Sequence, residues 1–235
     1  MTDKHLSSEF DAALTLISTK LLEMGGLVES QIALVLELLN AFNASTFSLI
    51  LEGERHLDKL EVDLDDEVNN VIARRQPAAH DLRLLMATSR CVTNLERAGD
   101  EARKIAKRLQ RIHESGVMSA VNVIELRNLG EMALRILRDA LDAFARMDTV
   151  AAAQIVRDDE AIDNKFRAFV RRLVVYLSNA PWAISNGLEY LVVAKAIERI
   201  GDHATNIAEF VIYVVKSRDV RHLTLEQLEE EVLRG

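Results

Sequence analysis

The chain of 235 residues is 49% apolar, with 9 Gly, 2 Pro and 5% aromatic residues. This composition disfavours a β-sandwich and is typical of a helical protein with a substantial core. The formal net charge of −8 argues against binding of nucleic acid by the chain as a whole, and the single Cys91 excludes an internal disulfide.

The first predicted helix runs from Phe10 to Phe42, where apolar residues recur at intervals of three and four. A helix of this length is typical of a helical bundle. Gly25 and Gly26 lie inside it and are unfavourable in a helix interior. They predict either a kink or a close approach by another backbone.

Two further helices are predicted before the middle of the chain. The second begins near Ser45 or Thr46, either of which could cap it, and ends before Pro77, which disfavours helix at the preceding residue. The third runs from about Ala78 to His113. A break between two halves is expected in the short segment ending at Gly116, because glycine tolerates a left-handed turn at a helix end.

The second half repeats this order. Helices are predicted over residues 129–144, 150–178 and 184–216, and Pro181 occupies the joint that a proline also marks in the first half. The charged tail contains a short amphipathic segment over residues 225–233, which is expected to form a partly ordered helix or a frayed end.

A duplicated segment is the strongest sign of internal repetition. Glu96–Lys107 recurs 102 residues later as Glu198–Glu209, with seven of twelve positions identical. Gly99 and Gly201 lie one residue before the aspartate in each copy, and a glycine inside a helix predicts close packing by a neighbour. The duplication indicates one structural unit made twice.

The expected fold is therefore all-α, with two tandem antiparallel three-helix bundles related by internal duplication. The first repeat is assigned to residues 1–115, the second to 116–217, and the charged tail to 218–235. No apolar run approaches the ~20 residues that a membrane-spanning helix needs. Because the N-terminus also lacks a signal-peptide core, we expect a cytoplasmic protein that meets a membrane only through a partner.

Acidic pairs spaced four residues apart occur on the second and third helices of both halves. They are Glu54/Asp58 and Glu96/Asp100 in the first half, and Asp159/Asp163 and Glu198/Asp202 in the second. If neighbouring helices bring them together, their repulsion calls for a hard, oxygen-preferring metal ion or a set of arginines. A solvated face is the competing interpretation, because Glu61/Asp65 has the same spacing without a counterpart in the other half.

The two acidic faces are expected to differ in charge. Asn206 and Glu209 extend the face of the second copy, whereas the first copy has Lys104 and Lys107 at those places. The basic stretch Arg103–Arg111 is interpreted as a solvated helix face.

Enzymatic signatures are missing from the sequence. It contains no glycine-rich phosphate loop and no nucleophile elbow, and none of its six histidines follows a glutamate by three residues, as di-iron bundles require. His203 is the nearest candidate ligand, but its position on a helix next to Asp202 points it elsewhere. From the residues alone, a carboxylate-bridged metalloenzyme and a structural dimer without bound metal both stay open as interpretations.

The ordered motifs of the chain resemble those of the PhoU family, the accessory and regulatory proteins of bacterial phosphate transport. The matching segments are Met24–Glu29, Arg74–Arg83, Leu95–Asp100, Asp142–Asp148, Glu198–Glu209 and Tyr213–Lys216. The resemblance implies a non-catalytic negative regulator of the phosphate-starvation response, the Pho regulon. It further implies a cytoplasmic homodimer that links the PstB-type ATPase of the Pst transporter to a PhoR-type sensor kinase when phosphate is plentiful.

The resemblance also implies multinuclear metal clusters of iron, or of another divalent cation such as Zn, Mn, Ni or Mg. Carried over to this chain, the ligands would be Glu54, Asp58, Glu96 and Asp100 in one half, and Asp159, Asp163, Glu198, Asp202, Asn206 and Glu209 in the other. Lys104 and Lys107 depart from the family pattern, so the resemblance does not imply a full cluster in the first half, where a lysine could replace a cation.

Overall fold

The computed structural model describes residues 2–116 and 121–233, which form seven α-helices and one short 3₁₀-helix, with no strand in these ranges. The helices are α1 (Thr2–Asn40), α2 (Ala44–Arg75), α3 (Ala79–Glu114), α4 (Val123–Arg146), α5 (Thr149–Asn179), α6 (Ile184–Lys216) and α7 (Leu225–Leu233), with the 3₁₀ turn at Pro181–Ala183. The predicted all-α class is confirmed, and each predicted helix is found close to its expected position.

The start of α2 corrects one detail of the sequence interpretation. Asn43, and not Ser45 or Thr46, is the cap of this helix. Its Oδ1 accepts hydrogen bonds from the backbone N–H groups of Ser45 at 2.8 Å and Thr46 at 3.2 Å. Ser45 and Thr46, which were predicted as caps, are thus residues of the first turn whose backbone N–H groups are satisfied by the cap Asn43. The helix ends before Pro77 as predicted, and Gln76 adopts a left-handed φ of 46°.

The break after α3 also lies where glycine predicted it. Helix α3 ends at Glu114, and Gly116 has a φ of +62°. Residues 117–120 lie outside the described ranges, and the domain boundary at residue 115 stays a prediction.

Three helices pack together in each half, and the two bundles then lie side by side. Helices α1, α2 and α3 contact one another, as do α4, α5 and α6. Helix α3 also packs along α6, and α1 along α4, so the apolar core is continuous between the bundles. In the described part of the chain, no helix combines the length and apolar character that crossing a bilayer requires.

Glycine permits the close contact between α1 and α4. A Cβ on Gly25 would lie 2.6 Å from the Cδ atoms of Leu141, and one on Gly130 would collide with Leu36 Cδ2. The close approach predicted at Gly25 is therefore present, but it is made by a leucine side chain and not by a backbone. Gly26 has no neighbour within 4 Å of its Cβ position, and α1 continues through both glycines without a break.

Candidate metal centre

The acidic pairs lie where α2 packs on α3 and where α5 packs on α6. A Cβ on Gly99 would lie 2.6 Å from Leu57 Cδ1, and one on Gly201 would lie 3.0 Å from Ile162 Cδ1. These contacts confirm the close packing predicted from the two glycines. Leu57 and Ile162 each directly precede the second acid of their pair, so the glycines let matching acidic turns approach.

The second bundle brings three of its predicted ligands together. Asp163, Glu198 and Asp202 each place one carboxylate oxygen within 4.8 Å of the others, and no further group of three such ligands occurs in the described ranges. Asp159 adjoins them, with its Oδ1 3.3 Å from the Cβ position of Gly201. That Oδ1 is buried and has no hydrogen-bond partner among the described residues.

Negative charge is only partly balanced at this second site. Burial, followed by the charges of neighbouring carboxylates, raises the pKa of Asp159 to about 6 and that of Asp202 to about 6. Lys195 Nζ donates to Glu198 Oε1 at 2.5 Å, and Arg167 Nη2 donates to Asp163 Oδ2 at 2.8 Å, but these two cationic side chains are 50% and 58% exposed. A pair with such an exposed partner offsets little charge.

This donor set fits a hard divalent cation. It consists of carboxylate oxygens, which Mg²⁺, Mn²⁺ and Fe²⁺ accept, whereas structural zinc sites are built mainly from cysteine and histidine. Asp159 supplies a buried oxygen that forms no hydrogen bond of regular geometry, and the Thr205 hydroxyl, which is also buried, is close enough to this carboxyl to lower its pKa. The residues that would hold the ion are Asp159, Asp163, Glu198 and Asp202.

The remaining two predicted ligands of the second bundle face other surroundings. Asn206 Nδ2 donates to Asn94 Oδ1 at 3.0 Å, which directs the side chain toward α3. Glu209 lies beside Arg221 and Asp219, and burial is the main reason that its pKa rises to about 7. Neither residue belongs to the three-oxygen group.

The first bundle supplies its own counter-ion. Arg103 Nη1 lies 2.6 Å from Glu54 Oε1, and its Nη2 lies 2.7 Å from Asp100 Oδ1. The position of Arg103 in the repeat is occupied by Thr205 in the second copy, 102 residues later. The sequence signal was present in the basic stretch, but the partner Glu54 lies on another helix and could not be assigned from spacing.

The other acids of the first site are crowded but do not form a three-oxygen group. Burial, followed by the charges of Asp100, Glu61 and Asp58, raises the pKa of Glu96 to about 7. Asp58 is exposed. Glu61 joins this site although the pattern of paired positions did not include it, and its pKa is raised by burial and then by Asp65 and Asp58.

Four of the five cations in the basic stretch of α3 form ion pairs, so the expected solvated face is present only in part, at the exposed Lys107. Lys104 Nζ donates to Glu101 Oε1 at 2.7 Å, and Arg108 Nη1 lies 3.1 Å from Glu189 Oε2. Arg111 also approaches Glu189, at 3.8 Å. The physical reason is that α6 lies along α3 and presents Glu189 to these cations.

Two buried polar residues at equivalent repeat positions hold α3 against α6. Glu101 is 4% exposed, and its Oε1 also lies 3.0 Å from Arg199 Nη1 of α6. Its counterpart His203 lies 3.1 Å from Asn94 on α3, with its Nδ1 donating to Asn94 Oδ1. Burial, followed by the charges of Arg199, Arg97 and Lys104, lowers the pKa of His203 to about 4. His203 is thus a neutral interface residue directed away from the acidic group.

Comparison with known proteins agrees with this architecture. The family model for the PhoU domain matches residues 21–109 and 126–211. A phosphate-specific transport system accessory protein PhoU homolog from Burkholderia sp is 50% identical over 234 residues, which cover 99% of this chain and 100% of the relative. The crystal structure of PhoU from Pseudomonas aeruginosa aligns with a TM-score of 0.86 at 39% identity, covering 89% of this chain and 100% of that one.

A more distant solved structure has the same fold. The phosphate transport system regulatory protein PhoU from Streptococcus pneumoniae aligns with a TM-score of 0.82 at 25% identity, covering 90% of this chain and 99% of that one. The resemblance inferred from the sequence motifs is confirmed by these matches, and the chain belongs to the PhoU family.

Proposed function

We propose that this protein is a non-catalytic accessory regulator of phosphate-specific transport. The observation that carries the proposal is the 50% identity, across both full lengths, with a protein named as a phosphate-specific transport system accessory protein PhoU homolog. The Streptococcus pneumoniae protein of the same fold is named as a regulatory protein of phosphate transport. Similarity that spans both bundles supports transfer of the whole role and not of one module.

In its finer form the proposal makes the protein a cytoplasmic, homodimeric adaptor. It binds the PstB-type ATPase of a Pst phosphate transporter and a PhoR-type sensor kinase, and it represses the Pho regulon when phosphate is plentiful. The continuous core supports this role, because two bundles that pack as one body can hold two partners in a fixed relation. Regulation then requires that the contacts differ between the states of a partner.

We also propose that the acidic group of the second bundle binds a divalent metal ion, with iron, Mn and Mg as the best chemical matches and Zn and Ni as further candidates. Asp159, Asp163, Glu198 and Asp202 would hold it, and the ion would supply the positive charge that offsets their repulsion. The buried Asp159 oxygen without a partner supports this assignment, since such an atom is costly unless it is paired. The ion would thereby fasten α5 to α6.

The regulatory proposal is tested in a strain that lacks the gene. We expect phosphate-starvation genes to be expressed in phosphate-rich medium, and the wild-type gene to restore their repression. An Asp159→Asn/Asp202→Asn variant tests the metal site, and Glu160→Gln, at an exposed neighbour of Asp159 on α5, is its matched control. Normal repression in the deletion strain would overturn the regulatory role.

Partner binding is tested separately by co-purification. The tagged protein is expected to retain the transporter ATPase from detergent extracts of its own organism, and crosslinking is expected to capture the sensor kinase. Elemental analysis of the same preparation, made without chelator, is expected to show a divalent metal that the Asp159→Asn/Asp202→Asn variant lacks. A wild-type protein that retained neither partner would contradict the adaptor model.

A further inference from the structure

We propose that a cleft between α3, α6 and residues 217–224 binds a phosphate-type oxyanion. The cleft has a volume of about 410 Å³ and is lined by residues of α3 and α6 together with Arg221. Its polar lining consists of Arg90, Thr93, Asn94, Arg97, Asn206 and Arg221. No carboxylate lines it, although the chain as a whole carries a net charge of −8.

Three guanidinium groups converge on this cleft. Arg90 and Arg221 lie over the same Phe210 ring, with their Cζ atoms 5.7 Å and 6.0 Å from its centroid. Arg97 lies on α3 two helical turns beyond Arg90. Within the described ranges, Arg90 and Arg97 form no ion pair with a carboxylate, although Arg97 is near enough to Glu61 and Glu96 to lower their pKa values. Arg221 pairs with Asp219 through Nε and Nη2. Arg90 and Arg97 thus bring to the cleft positive charge that no ion pair neutralises, and a bound anion would offset it.

The floor of the cleft is fixed so that it presents N–H groups. Asn94 is 9% exposed, and its Nδ2 donates one hydrogen bond to the backbone oxygen of Arg90 at 2.8 Å. Its Oδ1 faces two donors, Asn206 Nδ2 at 3.0 Å and His203 Nδ1 at 3.1 Å. The acceptor atom of Asn94 is thus occupied, while one N–H of Asn94 and one of Asn206 remain for a ligand.

Phosphate chemistry matches these donors. The planar guanidinium of arginine donates two parallel hydrogen bonds to a phosphate, and the charged bonds are about twice as strong as neutral ones. Glu209 and Asp219 border Arg90 and Arg221 in the adjoining cavity, where they would repel an anion. We therefore place the ligand at the end of the cleft formed by Arg90, Arg97 and the two amides.

The inference goes beyond the proposed function, because it concerns a ligand of the isolated chain and needs neither the transporter nor the kinase. Two sources share this chemistry, free orthophosphate and a phosphoryl chain such as pyrophosphate. Binding is measured by isothermal titration calorimetry on the full chain in a buffer that contains chelator. The chelator prevents the acidic site from recruiting phosphate through a metal ion.

We expect saturable binding of orthophosphate or pyrophosphate, and at least about tenfold weaker binding in an Arg90→Gln/Arg97→Gln variant. An Arg135→Gln/Arg146→Gln variant is the charge-matched control, since both arginines are exposed on α4 and lie outside the cleft. Tighter binding of orthophosphate would assign free phosphate, and tighter binding of pyrophosphate would assign a phosphoryl chain.

A second variant guards against a folding artefact. Thr93→Asp places a negative charge in the lining and is expected to weaken binding as the arginine variant does, while thermal melts followed by circular dichroism stay close to wild type. The proposal is overturned if neither phosphate binds, if sulfate binds as tightly as both, or if the cleft variants bind like the α4 control.

Discussion

The acidic site of the first bundle has an arginine that bridges acids of two helices, whereas the cations of the second site, Arg167 and Lys195, each pair with one acid of their own helix. Arg103 binds both Glu54 and Asp100, and its place in the repeat is taken by the uncharged Thr205 in the second copy. Close packing on a glycine occurs in both halves, with 2.6 Å from the Cβ position of Gly99 to Leu57 Cδ1 and 3.0 Å from that of Gly201 to Ile162 Cδ1. The duplication has thus kept the backbone that gathers the acids, and Thr205 in place of Arg103 removes a cation that joins two helices, which leaves more of the negative charge for a cation from solution.

The largest expected effect comes from moving the arginine into the second site. A Thr205→Arg variant is expected to bind a divalent cation about 10- to 100-fold more weakly, because the guanidinium would occupy the space and offset the charge. Titration of chelator-treated protein with Mn²⁺ and Fe²⁺ measures the change. Thr205→Val removes only the hydroxyl and is the control for disturbance of a buried position. Equal cation affinity in the arginine and valine variants would contradict the charge argument.

The reciprocal change removes the arginine that neutralises the first acidic site. An Arg103→Thr variant leaves Glu54, whose side chain is 12% exposed, without its charged donor, and we expect a loss of about 1–3 kcal/mol in the free energy of unfolding. Divalent cation in the buffer is expected to restore part of that loss. In a protein that keeps Arg103 and whose second site is blocked by Asp159→Asn/Asp202→Asn, the cation is expected to leave the free energy of unfolding unchanged. Urea unfolding with and without Mn²⁺ measures both quantities. Arg135→Thr on α4 is the control, and a loss of the same size there would refute a specific role for Arg103.

Apolar spacing and proline positions were sufficient to predict the helices and their order. The same reasoning gave the two acidic faces, because residues four apart share one side of a helix. It could not give the rotation of one helix against its neighbour, which brings Glu61 into the first site and turns Asn206 toward α3. Nor could it pair Arg103 with Glu54, since that contact joins different helices.

Alanine substitution of the two glycines compares the packing of the two sites, and its expected effects are smaller than those of the Arg103 and Thr205 variants. Gly99→Ala is expected to cost about 1–3 kcal/mol, because its Cβ would force Leu57 to move from a buried position, while better helix propensity returns about 1 kcal/mol. Gly201→Ala has more room, with 3.0 Å to Ile162 Cδ1, and its Cβ would meet Asp159 Oδ1 at 3.3 Å. We therefore expect Gly201→Ala to change cation affinity more than stability, and Gly99→Ala to do the reverse. Similar stability losses with unchanged cation binding in both variants would contradict this division.

The smallest expected effect is a difference in the pH dependence of stability. Burial raises the pKa of Asp159 and of Asp202 from the ordinary value near 4 to about 6, so the folded state binds protons more tightly than the unfolded chain. Their contribution is therefore fully present at low pH and is lost as the pH rises through about 6. His203 acts in the opposite direction, because a pKa lowered to about 4 stabilises the fold as the pH rises toward its ordinary value of 6.5.

A double variant separates these opposing contributions. Asp159→Asn/Asp202→Asn removes the two carboxyl groups and retains His203, so it serves as the reference at every pH. In chelator, the melting temperature of the wild type is expected to fall relative to that of the variant by several degrees between pH 5 and pH 7.5. Saturating divalent cation should reduce this relative fall, because the ion replaces the lost protons as the source of positive charge. Parallel pH curves for the two proteins in chelator would show that the acids of the second site are not held in mutual repulsion, and the contrast with the Arg103 site would then have no energetic basis.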